Sequence, residues 1–560
     1  MLIEHILAAG GELFTLQTMA LMVVGTVAGL LAGAIPGFTI AMAIVLTLPF
    51  TFGMEPLQGL ATMIGVFVGG LSGGLMSGIL TGIPGTPSSV ATTFDGFPMA
   101  RGGRPGLALG IGVWASFFGG TISAVLLVTL APQLARIGLE FGPWDYFSLV
   151  LFALTITASL AGENLVKGLI AGVLGVLVAT VGEDEINGVA RFNFGTEELK
   201  QGFAFLPVLI GLFAFSQLLS DIADTARARE PLSGSGAQAV RIEHRKAIVA
   251  VLSRWGNLLR SSLIGVFTGI LPAAGSSISN ILAYDQAKKS SRTPEKFGTG
   301  CEDGIVAPEA ANNATAGGSL ITMMALGIPG DIVTAVMLGA LLIHDVVPSP
   351  SFISEQPVLA YGIFIAFFVA NFIMLATQSL TLRLFVLVTK VRMYILASII
   401  LSYCAIGVFA LNNVQFDMWT LFVFGIVGFV MRNLGFPLAP MILGVVLGKI
   451  AEVNLSRAVA ISSDLTMFVE RPWSLFFLLL GIFSVFFPLY QKYRGVRLWT
   501  LLYPIALLVV LAVPMFMMDG ITRPAIGSAM VLFAGWLLYS NARNGWKLEG
   551  AGQHRVLREG

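Results

Sequence analysis

The sequence predicts an all-α polytopic membrane protein made of two inverted-topology repeats that contain broken helices or re-entrant hairpins. Three observations predict it. Only 11% of the 560 residues are charged and 56% are hydrophobic, whereas a soluble domain carries ~25% charged residues. Apolar runs recur from Phe14 to Leu538, which makes roughly 12–15 spans at ~20 residues each; their Leu- and Gly-rich composition reads as helices, not barrel strands. Two Pro-Gly breaks occur in the same order in both halves of the chain, which marks an internal repeat.

The elements follow in order. The N-terminal "MLIEHILAAGGEL" lacks a basic stretch and a cleavage motif, so the first span is expected to be retained. Whole spans are expected at about 15–35, 57–81, 106–135, 144–162, 164–182, 198–219, 246–271, 357–388, 393–411, 417–431, 435–450, 473–490, 498–518 and 522–541. Shorter apolar pieces at 38–52, 86–99, 275–287, 310–328 and 331–347 adjoin Pro-Gly breaks and are expected to be half-helices or hairpins. The charged, Ser- and Gly-containing segment 220–245 reads as a linker. It divides a first repeat (1–219) from a second (246–490), and 491–560 forms an extension with two more spans and a basic tail.

Two sequence matches define the repeat. "GLLAGAIPG" from Gly29 matches "IGVFTGILPAAG" from Ile264, and Gly82-Ile83-Pro84-Gly85 recurs as Gly327-Ile328-Pro329-Gly330. Basic residues set the topology. Arg101 and Arg104 follow the first GIPG segment, and the equivalent "LLIHDVVPSPSF" has no Lys or Arg. Equivalent points therefore face opposite sides, which is the pattern of an inverted repeat. The linker and the tail are expected in the cytoplasm and the N-terminus outside.

A broken helix frees backbone N–H groups at the start of one half and carbonyls at the end of the other. The N–H end suits an anion and the carbonyl end a cation. Small hydroxyls can donate to carboxylate oxygens without adding charge. After the GIPG break of the first half come Gly85, Thr86, Pro87, Ser88, Ser89 and Thr92; in the second half, after the break at Pro272, come Gly275, Ser276, Ser277 and Asn280. These residues, with Gly37, Thr39 and Gly330, are the candidate substrate contacts. Any one hydroxyl is more often helix-helix glue; two clusters placed after matched breaks favour a site. Glu309, Asn312 and Asn313 in "PEAANNA", together with Asp95, are candidate cation or polar contacts. Capping or packing is the competing reading for them, and Asp95 could also simply close the turn before Gly96.

Enzyme classes find no support. There is no HExxH, no Walker A motif, no GxSxG and no Cys/His cluster. Cys301 and Cys404 read as packing residues. Glu163 and Asp184 are expected at loop ends. Without a nucleotide-binding motif, the expected energy source is an ion gradient.

Three long segments, "GIPGTPSSVATTFDGFPMARGGRPGLALG", "VGEDEINGVARFNFGTEELKQGF" and "FGTGCEDGIVAPEAANNATAGGSLITMMALGIPGD", resemble the large membrane subunit of tripartite tricarboxylate transporters. The resemblance runs from about Phe14 to the "ERPWSLFF" segment near Glu470. It implies secondary uptake of a tricarboxylate such as citrate, a dicarboxylate or an aromatic acid across the bacterial inner membrane by symport. It also implies Na⁺ or H⁺ as coupling ion with no permanently bound cofactor, and two partners: a periplasmic solute-binding protein and a small four-span membrane subunit. "LPAAG" departs from the family's usual Pro-Gly pair. The alternatives are a stand-alone ion-coupled transporter or a channel for small anions.

Overall fold

The computed structural model describes residues 2–160, 164–184, 186–223, 240–272, 274–388, 393–546 and 548. The centre of the expected linker, Glu163 and most of the basic tail lie outside these. The described chain is helical apart from a small antiparallel hairpin that pairs Gly182–Glu183 with Ala190–Arg191. Ten of the described helices are long and apolar enough to cross a membrane. Five shorter apolar helices accompany them: Ile40–Thr51, Leu165–Ala179, Phe205–Ser220, Ile332–Ile343 and Ile400–Ala410.

Several expected spans take another form. The run 246–271 is two helices, His244–Leu252 and Trp255–Ile270. The run 198–219 is a 3-10 turn, a short helix at Phe205–Ile210, a π-turn at Gly211–Phe215 and a last helix from Ser216. The run 164–182 is a 15-residue helix, Leu165–Ala179. The piece expected at 310–328 belongs to a 24-residue helix that begins at Asp303 and continues through Pro308. Helix length here follows burial more than local hydropathy: that helix is buried from Gly304 to Leu326.

The chain forms two compact units, each of two chain segments. One comprises Met1–Leu139 and Asn193–Leu438, the other Glu140–Phe192 and Ala439–Gly560. In the second unit, two helices that begin at Pro-Trp, Pro143–Leu160 and Pro472–Tyr493, pack together. The Ser148 and Ser474 hydroxyls meet at 2.8 Å between them, and the buried Asp145 carboxylate receives Arg471 at 2.6 Å. At the hairpin turn, the Ile186 N–H and the Asn187 amide hold the Asp184 carboxyl below its ordinary value.

The first unit holds the Pro-Gly breaks, and ten of its helices are numbered here. They are α1 (Leu16–Ala34), α2 (Ile40–Thr51), α3 (Pro56–Thr81), α4 (Val90–Arg101) and α5 (Pro105–Gly138), then α6 (Trp255–Ile270), α7 (Gly275–Ser290), α8 (Asp303–Leu326), α9 (Ile332–Ile343) and α10 (Pro357–Val388). Some contacts of the first five recur in the second five. Helix α1 packs on α3, as α6 packs on α8. Across the sets, α5 packs on α6 and α8 while α10 packs on α1 and α3. Likewise α7 packs on α4 and α2 on α9.

Glycines explain how closely α1 and α3 approach. A Cβ on Gly29 would overlap the Val66 carbonyl, and one on Gly33 the Gly70 carbonyl. From the other side, Gly69 and Gly73 leave no room beside the Thr26 and Leu30 carbonyls. Small residues at every fourth position let backbones touch, which is how helices associate without a hydrophobic drive in lipid. In the second set, Gly265 meets the Ala311 carbonyl, Gly269 the Thr315 carbonyl, and Gly318 the Val266 carbonyl.

Candidate functional site

Both breaks are built the same way. Helix α3 ends at Gly82 with φ 77°, and α8 at Gly327 with φ 72°. Each glycine adopts the left-handed conformation that stops a helix. Ile-Pro-Gly follows, and then the chain restarts as a helix. Gly85 lies against the Gly33 carbonyl and the Gly74 Cα, and Gly330 against the Gly269 carbonyl and the Ser319 Cα. A side chain fits at neither.

Each restart carries a reciprocal capping box. At the first, Ser89 Oγ donates to the Thr86 carbonyl at 2.9 Å, and the Thr86 N–H donates to Ser89 Oγ at 3.4 Å. At the second, the Thr334 N–H donates to Asp331 Oδ1 at 2.8 Å, and the Asp331 N–H donates to Thr334 Oγ1 at 3.0 Å. Such boxes satisfy helix-start donors. Thr334 was not singled out in the sequence; the Asp331-x-x-Thr334 spacing beside the repeated GIPG is the signal that points to it.

The predicted residues fall into three places, apart from Gly37 and Thr39 at the start of α2. The first gathers most of them. Thr86, Ser88, Ser89 and Thr92 are buried, Pro87 is exposed, and the Thr86 and Ser88 hydroxyls lie 2.9 Å apart. Asn280, from α7, reaches across to α4. Its Oδ1 accepts the Ala91 N–H at 2.8 Å, and its Nδ2 donates to Thr92 Oγ1 at 3.4 Å. Thr92 Oγ1 lies 2.6 Å from Glu309 Oε1, and Ser116 Oγ, on α5, lies 2.9 Å from Glu309 Oε2, both within hydrogen-bond distance. One turn on, Asn313 Oδ1 accepts Ser72 Oγ at 2.8 Å, and Asn312 Nδ2 donates to the Leu71 carbonyl at 3.0 Å. Asn312 Oδ1 is buried with no hydrogen-bond partner. Ser72 and Ser116 went unnoticed in the sequence because a lone serine inside an apolar helix carries no pattern.

The second place is the restart of α7. Gly275 opens that helix with φ 58°, and a Cβ there would sit 3.5 Å from the Asp331 Cβ. Ser276 is half-buried and Ser277 exposed. Thr39 caps α2 by accepting the Met42 N–H at 3.2 Å, and Gly37 is exposed in the preceding turn.

The third place belongs to Asp95, which turns toward the loop between α7 and α8. Its Oδ1 accepts the N–H groups of Gly298, Gly300 and Cys301 at 2.9, 2.9 and 2.6 Å, and its Oδ2 accepts Tyr284 Oη at 2.9 Å. Protein donors thus engage both oxygens. Among the described residues, no group of three or more His, Cys, Asp or Glu side chains could hold a metal ion.

The family model described as "Tripartite tricarboxylate transporter TctA family" matches residues 19–443. The chain belongs to the TctA family. The matched span of this TctA-family chain contains both breaks and every residue of the three places. The chain is 33% identical over 485 residues to a protein from Agrobacterium vitis described as an uncharacterized 52.8 kDa protein in the TAR-I ttuC' 3' region, covering 85% of this chain and 93% of the relative. It is 34% identical over 234 residues to a second Agrobacterium vitis protein, described as uncharacterized and in the TAR-II ttuC' 3' region, covering 42% of this chain and 97% of that one. No solved structure matches. The TctA family is a transport family, and this member is a multi-pass membrane protein whose family implies partner subunits.

Proposed function

We propose that this chain is the large membrane subunit of a binding-protein-dependent secondary transporter that takes up a carboxylate by cation symport. It works in a bacterial inner membrane with a small four-span membrane subunit and a periplasmic solute-binding protein. The observation that carries this reading is the pair of matched helix breaks, one of which restarts with neutral hydroxyls where the other restarts with Asp331. Thr86, Ser88 and Ser89 surround the start of α4, where an anion gains from the positive end of the helix. At the second break the Asp331 carboxylate already occupies that position. The substrate carboxylate therefore meets the first break, and the second break is a structural counterpart. The coupling cation, Na⁺ or H⁺, is served by the Glu309, Asn312 and Asn313 group.

Reciprocal packing of the two helix sets and the arginines after the first break support inverted repeats spanning 1–219 and 246–490 about a cytoplasmic 220–245 linker. Residues 491–560 form an extension. The test is citrate uptake into proteoliposomes with the cognate binding protein, varying Na⁺ and pH independently. Uptake that needs the binding protein and an ion gradient is expected. Uptake that runs without either describes a channel or a stand-alone carrier and overturns the proposal.

A further inference from the structure

Glu309 is an acid in the wrong surroundings for a charge. Its side chain is fully buried on α8, a helix with no exposed residue from Gly304 to Leu326. Its carboxyl oxygens meet the Thr92 and Ser116 hydroxyls at 2.6 and 2.9 Å, and among the described residues no charged side chain pairs with them. Two hydroxyl donors do not replace a hydration shell. An unpaired buried carboxylate costs several kcal/mol even after relaxation, and such a group neutralises instead.

Charged and titratable groups on the neighbouring helices do not change this. On α4, Asp95 is engaged by the 298–301 loop and Tyr284, and Arg101 lies in the last turn. Tyr284, Asp285, Lys288 and Lys289 on α7, Arg260 on α6, Arg136 on α5 and Asp303 on α8 are likewise not among the groups that act on Glu309. Helix α3 carries no Asp, Glu, Lys, Arg or His.

We infer that Glu309 holds a proton as a neutral carboxylic acid in the arrangement described here, and that this proton is linked to the start of α4 through Thr92 and Asn280. The linkage is geometric. An ionised Glu309 accepts from both hydroxyls. A protonated one turns one oxygen into a donor, and Thr92 Oγ1 is the nearer partner at 2.6 Å. Thr92 then accepts from Glu309 and from Asn280 Nδ2, and its own hydrogen turns to the Ser88 or Ser89 carbonyl, one turn back in the 3-10 turn Pro87–Ser89 that leads into α4. The same Asn280 amide holds the Ala91 N–H at 2.8 Å. One proton taken from water and later returned to water therefore reverses a hydrogen bond two steps from the helix start. Its role in coupling rests on the transport reading; the protonation itself does not.

Infrared difference spectra of the purified chain, without substrate, test the protonation. The C=O band of a buried carboxylic acid, shifted by D₂O, is expected in the native protein and absent in Glu309→Gln. The introduced amide matches the neutral acid in shape and charge, so this variant is expected to fold and unfold like the native protein. Ser116→Ala keeps the acid, removes one hydroxyl partner and is expected to shift the band. Asp331 is a second buried acid, so the assignment is read from the native-minus-Glu309→Gln difference: a difference without the band, or a band that ignores Ser116→Ala, overturns it. In proteoliposomes with the binding protein and labelled citrate, Glu309→Gln is expected to lose accumulation driven by a pH gradient while retaining citrate exchange. Undiminished accumulation overturns the coupling role. Native protein that moves no citrate counts against the transport reading alone, because the spectra need no transport.

Discussion

The two breaks share a backbone and differ in what stands at the restart. The first begins with Thr86, a neutral hydroxyl, and borrows Asn280 from the other helix set to hold the Ala91 N–H. The second begins with Asp331, which satisfies its own helix start. Counting equal steps on from Gly33 and Gly269 reaches Ile44 and Asn280, so the residue that corresponds to the borrowed amide is apolar and buried. The backbone geometry of the break occurs twice, but only the second copy places a carboxylate, Asp331, at its restart. The two breaks are thus alike in backbone and unlike in chemistry.

The comparison can be broken hardest at the glycines the breaks share. Gly85→Val and Gly330→Val both force a side chain into a carbonyl, and each is expected to lower stability by about 3 kcal/mol or more, at the upper end of overpacking costs. Thermal unfolding of the purified variants measures this; one variant tolerated and the other not would show that the two breaks are not equivalent. Next comes function. Ser88→Ala combined with Ser89→Ala is expected to abolish uptake with membrane insertion intact, whereas Thr334→Ala, at the second break, is expected to spare uptake and cost ~1 kcal/mol as a lost cap. Normal uptake by the double variant would remove the first break from the site.

Two smaller effects sharpen the picture. Asp95→Ala takes away the acceptor of three loop N–H groups. Hydrogen exchange at Gly298, Gly300 and Cys301 is expected to quicken roughly tenfold, the change that corresponds to ~1.4 kcal/mol. Unchanged exchange would mean that the loop stands without Asp95. Gly37→Ala is expected to act through the backbone alone: nothing lies within 4 Å of the added carbon, and strain of about 1–2 kcal/mol is the loss that thermal unfolding should read.

Much of this was legible in the sequence. Pro-Gly punctuation located the breaks, and the short apolar pieces at 38–52, 86–99 and 331–347 correspond to the helices Ile40–Thr51, Val90–Arg101 and Ile332–Ile343. Hydroxyl content likens the Ser276 cluster to the Thr86 cluster, but the repeated GIPG aligns Thr86 with Asp331, and the matched contacts of Gly85 and Gly330 agree with that alignment. Composition ranks residues by type, but equivalence within a repeat is decided by which backbones touch. The Asn280 cap was illegible for a plainer reason. It joins residues 189 positions apart, and a periodicity reports which face of a helix is apolar, never which distant amide ends on it. The Pro-Trp starts at Pro143 and Pro472 do not reveal that their helices pair, because a Pro at the first helical position is common.

The glycine seam between α1 and α3 has a consequence for motion. Carbonyls of each helix sit in notches that only glycine can form, and the notches recur every fourth residue at Gly25, Gly29 and Gly33 and again at Gly65, Gly69 and Gly73. A slide of one residue would drive Cβ atoms into carbonyls along the whole seam. The next register with open notches is four residues away, about 6 Å at ~1.5 Å per residue. The pair can therefore travel together as one stiff bar, or jump by a whole tooth, and has no intermediate stops.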